Sequence, residues 1–245
     1  MENVIRVLST LALMGAVRHL ADRYEAEQRT RIDADFAPTL ALLDRLRGGE
    51  GADAVILTRE GLDDLAAEGI VVADCRVDLA RSYVGIAVKA GADHPDIATE
   101  TTLRATLLGA RVAYSRIGAS GIFFAQLIER MGIASEINAR ARIVPSGFTA
   151  ERLVAGEADL AVQQISELKQ VPGVEVIGPI PLEMQSPAVF SAGRLGLKAG
   201  ASSLRTPEIS RVARGRTRAA RVRAGEVAPG IEAHEGCSIE LNAGL

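Results

Sequence analysis

The chain has no tryptophan and only 3% aromatic residues; its apolar content of 48% is carried by alanine, valine and leucine. This composition predicts a soluble globular protein with a sizeable core, and 245 residues allow one large lobe or two smaller ones. Cysteine is scarce. Cys75 and Cys237 lie too far apart for a CxxC pair or a zinc cluster, and His19, His94 and His234 are scattered, so no metal and no cofactor is expected. No run of about 18 apolar residues occurs, so no membrane span is expected. A net charge of -3 argues against a general nucleic-acid surface, and no nucleic-acid partner is expected. Signatures of covalent catalysis are missing as well: there is no GxSxG elbow, Walker loop, GxGxxG after a strand, HExxH or paired Ser/His/Asp spacing.

What is present is an alternation of strand and helix patterns. Val4–Leu8 leads into a helix ending near Glu27, Arg31–Phe36 into a helix through Leu46, and Ala54–Leu57 into a helix over Arg59–Glu68 closed by Gly69. From Ser82 the pattern restarts. Strands are expected at Val84–Val88, Val112–Tyr114, Ala141–Val144, Leu160–Gln163 and Val174–Ile177, with helices at Thr101–Leu108, after Tyr114 and at Thr149–Ala155. Such alternation predicts right-handed βαβ units and parallel sheets covered on both faces. Ser186–Ala192 is extended again and could carry the chain back. The expected division is therefore residues 1–81 plus 186–245 for lobe one and 82–185 for lobe two. The apolar run Val7–Val17 after Arg6 has the look of a secretory h-region, yet cutting there would remove a core strand. As written, the chain is expected in the cytoplasm; a misassigned start or a removed leader would place it in the periplasm. Beyond about Ser203 six arginines fall between Arg211 and Arg223 with no apolar period. A solvated tail, a basic nucleic-acid-binding tail and a shifted reading frame each account for that stretch.

Four strand-to-helix junctions carry anion chemistry: Ser9-Thr10, Ala37-Pro38-Thr39, the turn from Ser115 to Gly121, and Pro145-Ser146-Gly147-Phe148-Thr149. The first N–H groups of a helix lack internal partners and the peptide dipoles place positive charge there, so an anion is welcome. Ser115 and Ser120 add hydroxyls, while Gly118 and Gly121 would let a ligand approach the backbone. The alternative at each junction is plain N-capping. Gln163-Gln164 ends an apolar strand, where a buried amide must find partners. Arg81, Lys89 and Arg116 are the cations considered for a carboxylate, Arg81 being best placed at the expected crossing between lobes. Glu167 and Asp53 could serve as proton-transfer bases if buried in the cleft.

Taken in order, Ser9-Thr10, Phe36-Ala37-Pro38-Thr39, Gly51-Ala-Asp-Ala-Val-Ile-Leu57, Tyr114-Ser-Arg-Ile-Gly-Ala-Ser-Gly121 and Phe190-Ser-Ala-Gly193 resemble the molybdate-binding-like solute-binding proteins of ABC transporters. The resemblance covers about residues 4–200. It implies an α/β, two-lobe type II periplasmic-binding-protein fold, with mixed, mostly parallel sheets and helices on both faces, closing on a small anionic ligand and serving an ABC permease. Carried over, the family's ligand contacts fall near Ser9 or Thr10, Thr39, Ser120, Phe148 and Gln163. Together with Arg81, Ser115 and Gly121 these make up the expected site. Where molybdate binders often place a tyrosine this chain has Gln163, and its junctions look closer to a subgroup whose relatives include aconitate isomerase. That directs the expected ligand from molybdate toward a small di- or tricarboxylate. It also makes an isomerase moving a proton in an unsaturated tricarboxylate, with Glu167 as base, the alternative function. A ligand-sensing regulatory domain is a third class, without a helix-turn-helix to support it.

Overall fold

The computed structural model describes residues 3–196. The chain builds two five-stranded sheets, each with helices on its faces. In the first, β1 (Asn3–Thr10) is central and pairs in parallel with β2 (Thr30–Ala37) and β3 (Ala54–Thr58). Helix α1 (Met14–Gln28), entered through a 3-10 turn at Leu11–Leu13, links β1 to β2. Helix α2 (Thr39–Arg47) then leads to β3, and α3 (Arg59–Ala67) leads to β4 (Val77–Ser82).

The second sheet takes β5 (Val84–Lys89), β6 (Val112–Tyr114), β7 (Arg142–Ile143), β8 (Leu160–Gln164) and β9 (Val174–Pro179). Between these strands lie α4 (Glu100–Gly109), α5 (Ala119–Arg130), α6 (Ala134–Asn138), α7 (Glu151–Val154) and α8 (Ile165–Leu168). The chain finally returns as β10 (Ala188–Arg194).

Strand order is β2-β1-β3-β10-β4 in one sheet and β7-β6-β8-β5-β9 in the other. Each sheet is thus three parallel strands, then one antiparallel strand that arrives from the other lobe, then an edge strand antiparallel to it. The alternation alone predicts parallel sheets and the family resemblance implies mixed, mostly parallel ones; the two crossings make both sheets mixed. The Ser186–Ala192 expectation corresponds to β10, which inserts between β3 and β4. Strand β4, not read as a strand from the sequence, owes its place to that insertion, pairing along Ala188↔Ser82 and Val189↔Arg81.

Side-chain size sets which helices can approach each face. In the second lobe Val84, Ile86, Val88, Leu160 and Val162 form one face under Leu103, Phe124, Leu127 and Ile128. The alternate positions Ala87, Ala113 and Ala161 make a thin face that lets α7 and α8 lie close, with Leu153 and Leu168 filling it. Gly85 extends the thin face, because a Cβ there would meet the Ile165 side chain at 2.5 Å. In the first lobe Leu8, Val55 and Leu57 pack against Leu42, Leu46, Leu62 and Leu65 of α2 and α3. The two crossings are joined by Gln185, whose buried side chain behaves as a strand residue. Its Oε1 accepts the Val84 N–H at 2.9 Å, and its Nε2 donates to the carbonyls of Val84 and Ile180 at 3.1 and 2.5 Å.

No helix among the described residues is long and apolar enough to cross a membrane. The Arg211–Arg223 stretch, and with it every expectation for the tail, lies outside the described residues.

Candidate functional site

The carboxyl ends of β1 and β8 point at one another across the space between the lobes, the position where parallel α/β sheets hold ligands. Lobe one contributes Thr10, Leu11, Ala12, Pro38 and Thr39, backed by Phe190; lobe two contributes Ser115, Gly118, Ala119, Gly147, Gln163, Gln164 and Glu167. The lobes are closed on this space. It measures about 10 Å³, room for about one water.

Two helices begin at its edge without a side chain on their free N–H groups. α2 starts at Thr39 after Pro38, held extended at φ -61° and ψ 153°; α5 starts after Gly118 at φ -91° and ψ 156°. Neither N-cap makes a side-chain bond, so the first turns present bare donors and positive dipole ends to the cleft. One such donor is used across the cleft: the Leu40 N–H donates to the Ile117 carbonyl at 3.0 Å.

The polar side chains differ in how committed they are. Thr10 is 3% exposed, and its hydroxyl has no hydrogen-bond partner among the described residues. Ser115 accepts the Ile117 N–H at 3.3 Å, which folds the turn before α5. The Gln163 amide is fully engaged: Oε1 accepts the Thr149 N–H at 2.8 Å and the Thr149 hydroxyl at 3.0 Å, and Nε2 donates to the Gly147 carbonyl at 3.2 Å. Gln163 therefore pins the loop that carries Gly147 into the cleft wall. Because Thr149 is held this way, α7 begins at Glu151 and not at Thr149.

Glu167, 7% exposed, accepts the Gln164 N–H at 3.1 Å. Burial pushes its carboxyl up to about 7, with the Gln164 N–H and the Gln163 side chain offsetting part of the rise. Such a group can hold or release a proton at neutral pH. Among the described residues lining the cleft it is the single ionisable side chain.

Of the residues singled out from the sequence, the structure brings together Thr10, Thr39, Ser115, Gln163 and Glu167. Ser9 is fully buried behind Thr10 and donates to the Thr10 carbonyl at 3.1 Å. Ser120 is buried in the first turn of α5, two residues past the true N-cap, Gly118. Gly121 serves packing: a Cβ there would fall onto the Ser115 carbonyl oxygen, so its role is to let α5 tuck beneath the turn. Phe148 stands outside the lining, and its neighbour Gly147, at φ 81°, reaches the cleft instead.

The cations do not converge on it either. Arg81 and Lys89 are exposed on their strands, and Arg116 is exposed and donates to Asn138 Oδ1 at 3.2 Å and to the Tyr114 hydroxyl at 3.4 Å. Asp53 is exposed and accepts the Arg6 N–H at 2.8 Å, away from the cleft. Gln164, Gly118 and Leu11 also line the cleft. Gly118, expected from the sequence to let a ligand approach the backbone, lies in the lining as the N-cap of α5.

Two lobes of mixed sheet, joined by two crossings and closed over helix N-termini, make this a type II periplasmic binding protein fold. The chain belongs to the bacterial extracellular solute-binding protein family, whose model matches residues 5–203. An aconitate isomerase from Pseudomonas sp is 37% identical over 194 residues, spanning 76% of this chain and 74% of that protein. Among solved structures, the periplasmic molybdate-binding protein of Azotobacter vinelandii superposes with a TM-score of 0.65 at 17% identity, covering 80% of this chain and 87% of its own. The tungstate ABC transporter protein from Geobacter sulfurreducens gives 0.61 at 15% identity, covering 80% and 86%. At such identities the structural likeness establishes the fold.

Proposed function

We propose that this chain binds a small carboxylate anion in the inter-lobe cleft and works outside the cytoplasm as the solute-binding partner of an ABC transporter. The observation that carries the reading is the convergence of two uncapped helix N-termini and the unpartnered Thr10 hydroxyl on one enclosed space. Hydroxyls and N–H groups held in place before the ligand arrives stabilise negative charge without reorganisation. A cleft of about 10 Å³ must open to admit such a ligand, so binding proceeds by separation and reclosure of the lobes. Support for a carboxylate over a tetrahedral oxyanion comes from the relative at 37% identity, whose name denotes a tricarboxylate substrate. Titration calorimetry with citrate, cis- and trans-aconitate, sulfate and molybdate tests it. One saturable carboxylate ligand is the expected result, and heat from none of the five anions would defeat the proposal.

A second reading is favoured by one group, the buried Glu167 carboxyl at the cleft wall. As a carboxylate it could take the allylic proton of an unsaturated tricarboxylate and return it to the carbon at the other end of the shifting double bond, with no net change in protons or electrons. Incubation with trans-aconitate, followed by ultraviolet absorbance and chromatography, reads this directly. Interconversion abolished in E167Q supports the isomerase; unchanged substrate after prolonged incubation removes it.

A further inference from the structure

Glu167 presents an acidic group in a cleft otherwise furnished for negative charge. Among the described lining residues no Lys, Arg or His accompanies it. Helix α8, which carries it, packs against β5, β8, β9 and the Leu11–Leu13 turn. β8 and the turn hold no charged residue. β5 and β9 hold Lys89 and Glu175, at the end of the sheet where Lys89 pairs with Val174; α8 begins at the opposite end, where Val84 pairs with Gln164. Glu175 is itself engaged by His94 at 2.7 Å, and Lys169 and Tyr83, the titratable neighbours of α8 in sequence and by hydrogen bond, are exposed. Among the described residues, therefore, no cation stands where it could neutralise this carboxylate.

An anion entering the closed cleft meets this carboxyl in a space from which water is nearly excluded. Two negative charges confined together there repel strongly, whereas the carboxylic acid adds one more donor beside the Thr10 hydroxyl and the helix N–H groups. We propose that Glu167 holds a proton in the ligand complex and donates its carboxyl O–H to the bound anion, so that binding at alkaline pH takes up one proton. Glu167 is then a specificity-determining contact that requires an acceptor oxygen on the ligand. The inference rests on the binding reading given above. It is opposite in sign to the isomerase reading, because a base must be ionised when the substrate is bound.

The proton comes from solvent and returns to it on release, so no further reactant is needed. With the free carboxyl titrating at about 7, the association constant is expected to be level at acidic pH and to fall tenfold per pH unit above that value.

The test uses the full chain with trans-aconitate and molybdate as probes, titrated calorimetrically between pH 5 and 9. The wild type is expected to show the tenfold-per-unit decline, and at pH 8.5 two buffers of unlike ionisation heat should report uptake of about one proton. E167Q, which keeps a neutral donor in the same shape, is expected to lose the decline and to bind about thirtyfold tighter than the wild type at pH 8.5. A probe that binds the wild type with pH-independent affinity and no proton uptake overturns the inference alone. A decline that persists unchanged in E167Q also overturns it, by assigning the proton elsewhere. Silence from both probes at every pH overturns the binding reading and this inference together. If E167Q does not fold, the wild-type proton count decides by itself.

Discussion

The N–H of Leu40, in the first turn of α2, donates to the carbonyl of Ile117 in the turn before α5, 3.0 Å away on the other lobe. Lobe one thus supplies an N–H that the helix N-terminus leaves free, and lobe two a carbonyl of the turn that precedes α5. The same N–H lies in the turn whose donors are available to an anion, so lobe closure and ligand binding draw on one set of groups. On the other side of the cleft, Gly15 of α1 faces Gln170, which follows α8, so closely that a Cβ would meet Gln170 Nε2 at 2.7 Å.

That second contact makes Gly15 a place to wedge the lobes apart. Gly15→Ala is expected to be tolerated, because the Gln170 side-chain end can move. Gly15→Leu is expected to weaken ligand binding by tenfold or more while leaving thermal stability equal or higher, since leucine favours the helix over glycine. Calorimetry gives the affinity, and X-ray scattering should show a larger radius of gyration with ligand present than for the wild type.

Thr10 should separate stability from binding. Its hydroxyl is buried and unpartnered, so Thr10→Val removes an unsatisfied group and is expected to stabilise the free protein by about 1 kcal/mol, roughly 2–4 °C in Tm. The same change removes a donor to a charged ligand and is expected to lower affinity by about tenfold or more. Equal affinity in the variant would take Thr10 out of the site.

Gln163 should behave in the opposite way. Gln163→Leu leaves the Thr149 N–H and hydroxyl and the Gly147 carbonyl without the partners they have now. A loss of about 3 kcal/mol is expected, roughly 6–12 °C in Tm. Because Gly147 forms part of the cleft wall, ligand affinity should fall as well.

Glu167 gives stability its own pH dependence. Its carboxyl is raised to about 7 in the folded chain against about 4.3 when unfolded, so the native state binds the extra proton between those values. Its contribution is present in full below the lower value and is lost as pH rises through about 7, by up to about 3.5 kcal/mol. Exposed carboxylates such as Glu68, held low by Arg47, act in the other direction. The informative quantity is therefore the difference in urea-unfolding free energy between wild type and E167Q, which should grow in favour of E167Q from pH 5 to pH 8.

The alternation of strands and helices was legible because strong periodicity dictates it. Val112–Tyr114 was read with the bounds it has, and the Arg59 helix and the β8 strand to within a residue. What could not be read is what depends on distant pairing. β4 is a strand because β10 lies beside it, with Ser191 bonding Asp78 across 113 positions, and no local pattern announces that. The same distance hid the fate of the cations: Arg81 is exposed in a register fixed by Val189.

At the site, the hydroxyl-rich junctions named from the sequence include Thr10, Thr39 and Ser115, which line one cleft in the structure. The partner of a buried amide is a property of the fold, however, so Gln163 was visible as a residue needing partners and invisible as a pin for Thr149. The N-cap of α5 is Gly118, while Ser120, the residue type that usually caps, is buried inside the first turn.

The insertion of β10 between β3 and β4 also orders events during synthesis. Lobe two's sheet is complete in the contiguous stretch from Val84 to Pro179, whereas lobe one lacks its fourth strand until Arg194 has left the ribosome. The earlier-made half must wait for the later-made one, with β4 left unpaired in the meantime. A chain cut between β9 and β10 would therefore strand the first lobe and spare the second, an asymmetry that limited proteolysis of nascent chains should display as early protection of residues 84–179.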